Sequence, residues 1–111
     1  MAEPAAGAPA APGEIDIVHN PERRRYELRD DGVVIGFTKY RRAGGKVVFI
    51  HTEVDEDYAG QGLASKLARF ALADVRASGR RIVPVCPYIA SWLRTHHDFD
   101  DLVDWPAEQE G

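Results

Sequence analysis

The chain has 111 residues, enough for one domain with one core but not for separate cofactor and substrate domains. Fourteen Lys and Arg against eighteen Asp and Glu leave a net charge of −4, which excludes the broad basic footprint of a general nucleic-acid binder. The single cysteine, Cys86, excludes an internal disulfide, and no apolar run approaches the ~20 residues of a membrane span. A lone thiol and the lack of a signal-peptide pattern make the cytoplasm the expected address.

Residues 1–13 are mostly Ala, Pro and Gly, with Pro4, Pro9 and Pro12, and are expected to be a disordered tail. The Glu-rich end, 106–111, is expected to fray likewise, which leaves a folded domain over 14–105. Ile15, Ile17 and Val18 mark a first strand, and Arg24–Arg29 alternates around Tyr26 and Leu28 as a second. The Asp30-Asp31-Gly32 turn leads into a strand over Val33–Arg41, with Val33, Ile35 and Phe37 expected on one face. Ala43-Gly44-Gly45 turns into Lys46–Val54, a strongly apolar strand. Turns this short predict an antiparallel four-strand meander.

The period then changes. Ala64, Leu67, Ala68, Ala71, Leu72 and Val75 recur at helical spacing and predict an α-helix over Gly62–Ser78, stopped by Gly79. Arg81–Val85 reads as a strand, with Pro84 unable to donate to a ladder. Pro87 opens a second helix carrying Tyr88, Ile89, Trp92 and Leu93. A strand–helix–strand crossover predicts a parallel last pair, so the fold class is α+β (mixed α/β).

Chemistry concentrates in Glu53–Ser65, where a strand ends, a loop with Gly60 and Gly62 follows, and a helix begins. Backbone N–H groups and the positive end of a helix dipole meet there, an arrangement that favours an anion. A short Gly-x-Gly is also simply a loop. Neither the P-loop pattern nor the dinucleotide G-x-G-x-x-G is present.

The run Tyr58-Ala59-Gly60-Gln61-Gly62-Leu63-Ala64, after an acidic loop and before an Ala/Leu helix, resembles the acetyl-CoA-binding segment of the GNAT superfamily of N-acetyltransferases. The superfamily pattern is Q/R-x-x-G-x-G/A; Gly62 and Ala64 match it, and Ala59 stands where Gln or Arg is usual. The later run Cys86–Leu93, continued to Phe99, is similar to the last core strand and helix of the short acetyltransferase-domain proteins, and the resemblance extends over about Tyr26–Val103.

The resemblance implies a GNAT-like fold and transfer of acetyl from acetyl-CoA to an amine acceptor, a protein or a small molecule. It implies that backbone N–H groups of Gly60, Gln61, Gly62, Leu63 and Ala64 hold the pyrophosphate, and that the strand edge at Thr52 and Val54 pairs with pantetheine. The Val54 N–H would then stabilise the oxyanion. Lys66, Arg69, Arg80 and Arg81 are either phosphate partners or surface charges. Many relatives use a tyrosine on the last helix as acid, and Arg94 occupies that position here. Tyr88 either replaces it or packs.

Cys86, between the strand and the helix, is an acetyl-accepting nucleophile, a pocket wall or an inert buried thiol. Glu53, on one strand face with His51, is either a general base or a solvated carboxylate. His96 and His97 lack a ligand spacing, so no metal site is expected. The alternative to an enzyme is a non-catalytic acetyl-CoA-binding or protein-interaction module.

Overall fold

The computed structural model describes residues 13–106, so the expected tails at 1–13 and 106–111 lie outside the described residues except for Gly13 and Pro106. Five strands form one sheet in the order β1-β2-β3-β4-β5: β1 (Ile15–Asn20), β2 (Arg25–Asp30), β3 (Val33–Ala43), β4 (Lys46–Val54) and β5 (Arg81–Pro84). The first four pair antiparallel, as the short turns require, and β5 lies parallel to β4 after the crossover through α1 (Leu63–Ala77). α2 (Pro87–Thr95) follows β5, with Pro87 in its first turn.

The periodic face of α1 is its packed face. Leu67, Ala68, Ala71, Leu72 and Val75 are buried against Tyr26, Leu28, Phe49 and Ile82 of the sheet. Ala64 is only half-buried; Leu63 takes the buried place in the first turn. The helix ends at Ala77 with Ser78 as its C-cap, and Gly79 follows with φ +75°. Its N–H reaches Arg76 O at 3.0 Å and the Arg80 N–H reaches Val75 O at 3.2 Å, the paired closure that a left-handed glycine permits. α2 joins the same core through Ile89, Trp92 and Leu93, and its Trp92 indole N–H donates to Ser65 of α1 at 2.8 Å. Both helices thus share one face of the sheet.

β3 departs from the simple alternation. Leu28 pairs with Gly36 but Arg29 pairs with Val34, so Ile35 is an extra residue in the ladder. Val33, Ile35 and Phe37 therefore do not share a face. Ile35 is buried, Val33 is 64% exposed, and the Phe37 ring lies beside His51 on the far side of the sheet, under the Arg25 guanidinium. Thr38 and Tyr40 take the core side instead. At Gly36 a Cβ would lie 2.8 Å from Glu53 O, so only glycine lets β3 and β4 approach this closely.

A second register shift displaces β4. Tyr40 pairs with Phe49 and Lys39 with His51, leaving Ile50 as the extra residue. This bulge lies where β4 and β5 part.

Candidate active site

β4 and β5 are paired only from Lys46↔Arg81 to Phe49↔Pro84. Beyond that point the Phe49 carbonyl accepts two N–H groups, from Val85 at 3.0 Å and Cys86 at 2.7 Å. The chain then turns into α2, while β4 continues alone to Val54 on that side. A wedge opens between them. Its apex is the Phe49 carbonyl.

Cys86 closes the apex. Its side chain is buried and its Sγ lies 3.3 Å from Thr52 Oγ1, which lies 2.8 Å from Thr38 Oγ1. Thr38 is fully buried and needs such a partner, because a hydroxyl left unpaired in a core costs about 1–3 kcal/mol. The pleat directs Thr52 toward Cys86 and the next residue, Glu53, away from it. Glu53 is exposed on the helix-free side of the sheet, where its Oε2 lies 3.0 Å from His51 Nε2. The structure thus brings Cys86 and Thr52 together and sets Glu53 on the other face of the same strand.

The loop after β4 is held at several points. The Asp55 N–H donates to Ile35 O at 2.7 Å, and its carboxylate accepts the Asp57 N–H at 3.0 Å, which starts a 3₁₀ turn over Glu56–Tyr58. The Tyr58 hydroxyl donates to the Asp30 carboxylate at the end of β2. That hydrogen bond, with some burial, pushes the Tyr58 phenol up to about 12. Gly60 and Gly62 then adopt φ +80° and +74°, and a Cβ at either would meet nothing within 4 Å. The backbone is therefore open on that side. Gly62 is the N-cap of α1, and no side chain caps the helix.

Loop, helix start and wedge enclose a pocket of about 330 Å³, lined by Val54, Tyr58, Ala59, Gly60, Gly62, Leu63, Ala64, Ser65 and Tyr88. Among the expected cofactor-binding residues, Val54, Gly60, Gly62, Leu63 and Ala64 line it; Gln61 lies between the two glycines, and Thr52 sits behind, against Cys86. Tyr88 rises from the first turn of α2 into the same pocket. Burial pushes its phenol up, and its hydroxyl has no hydrogen-bond partner among the described residues.

Arg94 lies outside this pocket, its guanidinium 5.0 Å from the Trp105 ring centre. Arg69 and Arg81 are committed to Asp98 and Asp104, each at 2.8 Å. Tyr58 and Thr38 are the site residues to which the sequence reading gave no role. An aromatic inside the glycine loop was the available signal for Tyr58. Thr38 had none, since its partner is 14 residues away. Among the described residues there is no cluster of His, Cys, Asp or Glu able to hold a metal, and no helix long and apolar enough to cross a membrane.

Comparison with known proteins adds an independent line. The model of the GCN5-related N-acetyltransferase family matches residues 25–102. Protein NATD1 of Bos taurus is 33% identical over 100 residues, which cover 82% of this chain and 85% of the relative. Protein NATD1 of Mus musculus is 31% identical over 88 residues, or 74% and 76% of the two chains. The NMR solution structure of a GCN5-like protein from Staphylococcus aureus superposes with a TM-score of 0.65 at 18% identity, over 86% of this chain and 93% of that one. That structure supports the fold.

Proposed function

The chain belongs to the GCN5-related N-acetyltransferase family, and from that membership we propose that it transfers acetyl from acetyl-CoA to an amine acceptor. One observation carries the reading: the 330 Å³ pocket in which the uncapped, two-glycine start of α1 meets the wedge between β4 and β5. The residues fit the substrate. Pyrophosphate oxygens need closely approaching N–H donors, which Gly60–Ala64 can supply without an intervening Cβ at either glycine. Pantetheine carries amides that suit the free edge of β4 at Thr52–Val54.

In this reading the amine nitrogen bonds to the acetyl carbonyl carbon as the carbon–sulfur bond breaks. The Val54 N–H is the donor proposed for the oxyanion. The leaving thiolate takes the Tyr88 hydroxyl proton, and the amine gives up its proton to Glu53 from the other side of the sheet. The location of Cys86 at the wedge apex supports a second route. There its sulfur takes the acetyl by thioester exchange, releasing CoA, before the amine removes it. Arg94, which stands over Trp105 rather than in the pocket, favours the competing reading of binding without catalysis.

Calorimetric titration with acetyl-CoA, followed by turnover with an amine panel, separates these. Saturable binding and acetylated product are expected. No binding at millimolar acetyl-CoA overturns the reading, and binding with no turnover on any amine leaves the binding module. Intact mass after incubation with acetyl-CoA, for wild type and Cys86→Ala, decides the route. An acetyl adduct lost in the variant, together with lost turnover, assigns the sulfur; full turnover in the variant removes it.

A further inference from the structure

We propose that the acceptor enters from the helix-free face of the sheet, through the cavity beside Glu53, and is a primary amine on an apolar arm whose far end is neutral or anionic rather than cationic. The proposal deepens the acetyl-transfer reading and rests on it.

The cavity measures about 580 Å³ and is bounded by Arg25, Val34, Phe37, Glu53, Val54 and Asp55, with β3 backbone as its floor. Val54 lines this cavity and also the glycine-loop pocket, so the two meet at the last residue of β4. An acceptor here and a thioester in the wedge would come together at that residue.

The chemistry changes along the cavity. Glu53 and Asp55 stand at the Val54 end. The Glu53 side chain is 62% exposed, and only its Oε2 is engaged, by His51, leaving Oε1 for an ammonium. The middle is apolar: the Phe37 ring, and Val34, which is 39% exposed. At the other end stands Arg25. Its Nε donates to Glu27 at 2.7 Å and its guanidinium lies 4.8 Å from the Phe37 ring centre, which fixes the charge over the ring.

Glu27 cannot neutralise a guest at that end. It is buried and already accepts from Arg25, Arg29 and Asn20. The Arg25 Nη groups have no hydrogen-bond partner among the described residues. Phe37 pairs with Glu27 on one side and Glu53 on the other, so Arg25 and Glu53 come from the two strands that flank it. An amine bound at Glu53 therefore extends its arm across Phe37 toward a fixed positive charge. A second ammonium there is repelled, a methyl is tolerated and a carboxylate gains donors.

Three five-carbon acceptors test this: 5-aminopentanoate, n-pentylamine and 1,5-diaminopentane. Steady-state transfer is measured at saturating acetyl-CoA for wild type, Arg25→Gln and Glu53→Gln, with acetyl-CoA affinity measured alongside by calorimetry. The expected kcat/KM falls in the order given, with roughly tenfold between first and last, the size of one like-charge contact near a surface. Arg25→Gln, which keeps an amide donor for Glu27, should collapse that spread. Glu53→Gln, which also removes the proposed proton acceptor, should lower kcat and raise KM for all three roughly tenfold while acetyl-CoA affinity holds. Glu53 is exposed, so this variant carries the test alone should Arg25→Gln not fold. The assignment is overturned if diaminopentane is the best acceptor, if the spread survives Arg25→Gln, or if none of the three is acetylated while acetyl-CoA binds. Failure of acetyl-CoA to bind at all overturns instead the reading beneath it.

Discussion

The two ends of α1 are built on opposite plans. At the C-terminal end every device is internal. Gly79 closes the last carbonyls, and Asp74 accepts the Tyr26 hydroxyl at 2.7 Å. Around that bond His19 stacks on Tyr26 with ring centres 4.2 Å apart and lies 2.6 Å from the Tyr40 hydroxyl through Nε2. At the N-terminal end no side chain caps the helix, and the residue before it is a left-handed glycine facing open space. One end spends its polar groups on the fold, and the other leaves its first N–H groups without a side-chain cap, where the proposed reading sets the pyrophosphate. Stability and binding should therefore be separable by mutation along a single helix.

The largest expected effect lies at the open end. Gly62→Ala keeps the chain path but sets a methyl group on the open side, in a conformation that costs an L-residue about 1–2 kcal/mol. Loss of close N–H contacts to the pyrophosphate should weaken acetyl-CoA binding by on the order of 100-fold, about 2.7 kcal/mol, measured by calorimetry. Melting should fall by about 5–10 °C, as expected for about 1–2 kcal/mol in a domain of this size. A variant that melts lower yet binds as wild type would reduce Gly62 to a turn residue and erase the contrast.

The closed end should give the mirror result. Tyr26→Phe removes one buried hydroxyl and leaves the half-exposed Asp74 to water. The expected cost is about 1–1.5 kcal/mol, read as a lower urea midpoint at unchanged slope, with acetyl-CoA affinity unaltered. Loss of affinity here would mean that the two ends are coupled through the helix.

Much of this contrast was legible in the sequence. The 3.6-residue spacing of Leu67, Ala71, Leu72 and Val75 identified the packed face, and Gly79 identified the stop, because both are local. The glycines at 60 and 62 marked the open end for the same reason. What was not legible depended on partners distant in the chain. The bulge at Ile35 set Phe37 on the face opposite Ile35, and a bulge is a property of two strands in register. Glu53 and Cys86 look like members of one site until the pleat at Thr52 sets them on opposite sides of a strand. The Tyr26–Asp74 bond joins residues 48 apart, and no spacing rule points to it.

The smallest expected effect is the His19 step in the pH dependence of the closed end. Burial lowers the His19 pKa below its ordinary 6.5, outweighing the attraction of Asp74, and Arg42 adds to the lowering. The unfolded chain therefore takes up this proton first as pH falls, and stability drops from about pH 6.5 downward through the folded value. Glu27 acts in the same direction at lower pH. Burial alone would raise its carboxyl, but hydrogen bonds from Arg29, Arg25 and Asn20 hold it at about 2, against an ordinary 4.5. Its contribution is complete above pH 4.5 and is lost between there and pH 2. Urea midpoints measured from neutral pH downward should fall in these two steps. His19→Gln, which keeps an acceptor for Tyr40 but cannot take up a proton, should remove the upper step and leave the lower one. If the upper step persists in that variant, another group carries it and the closed end is not what titrates.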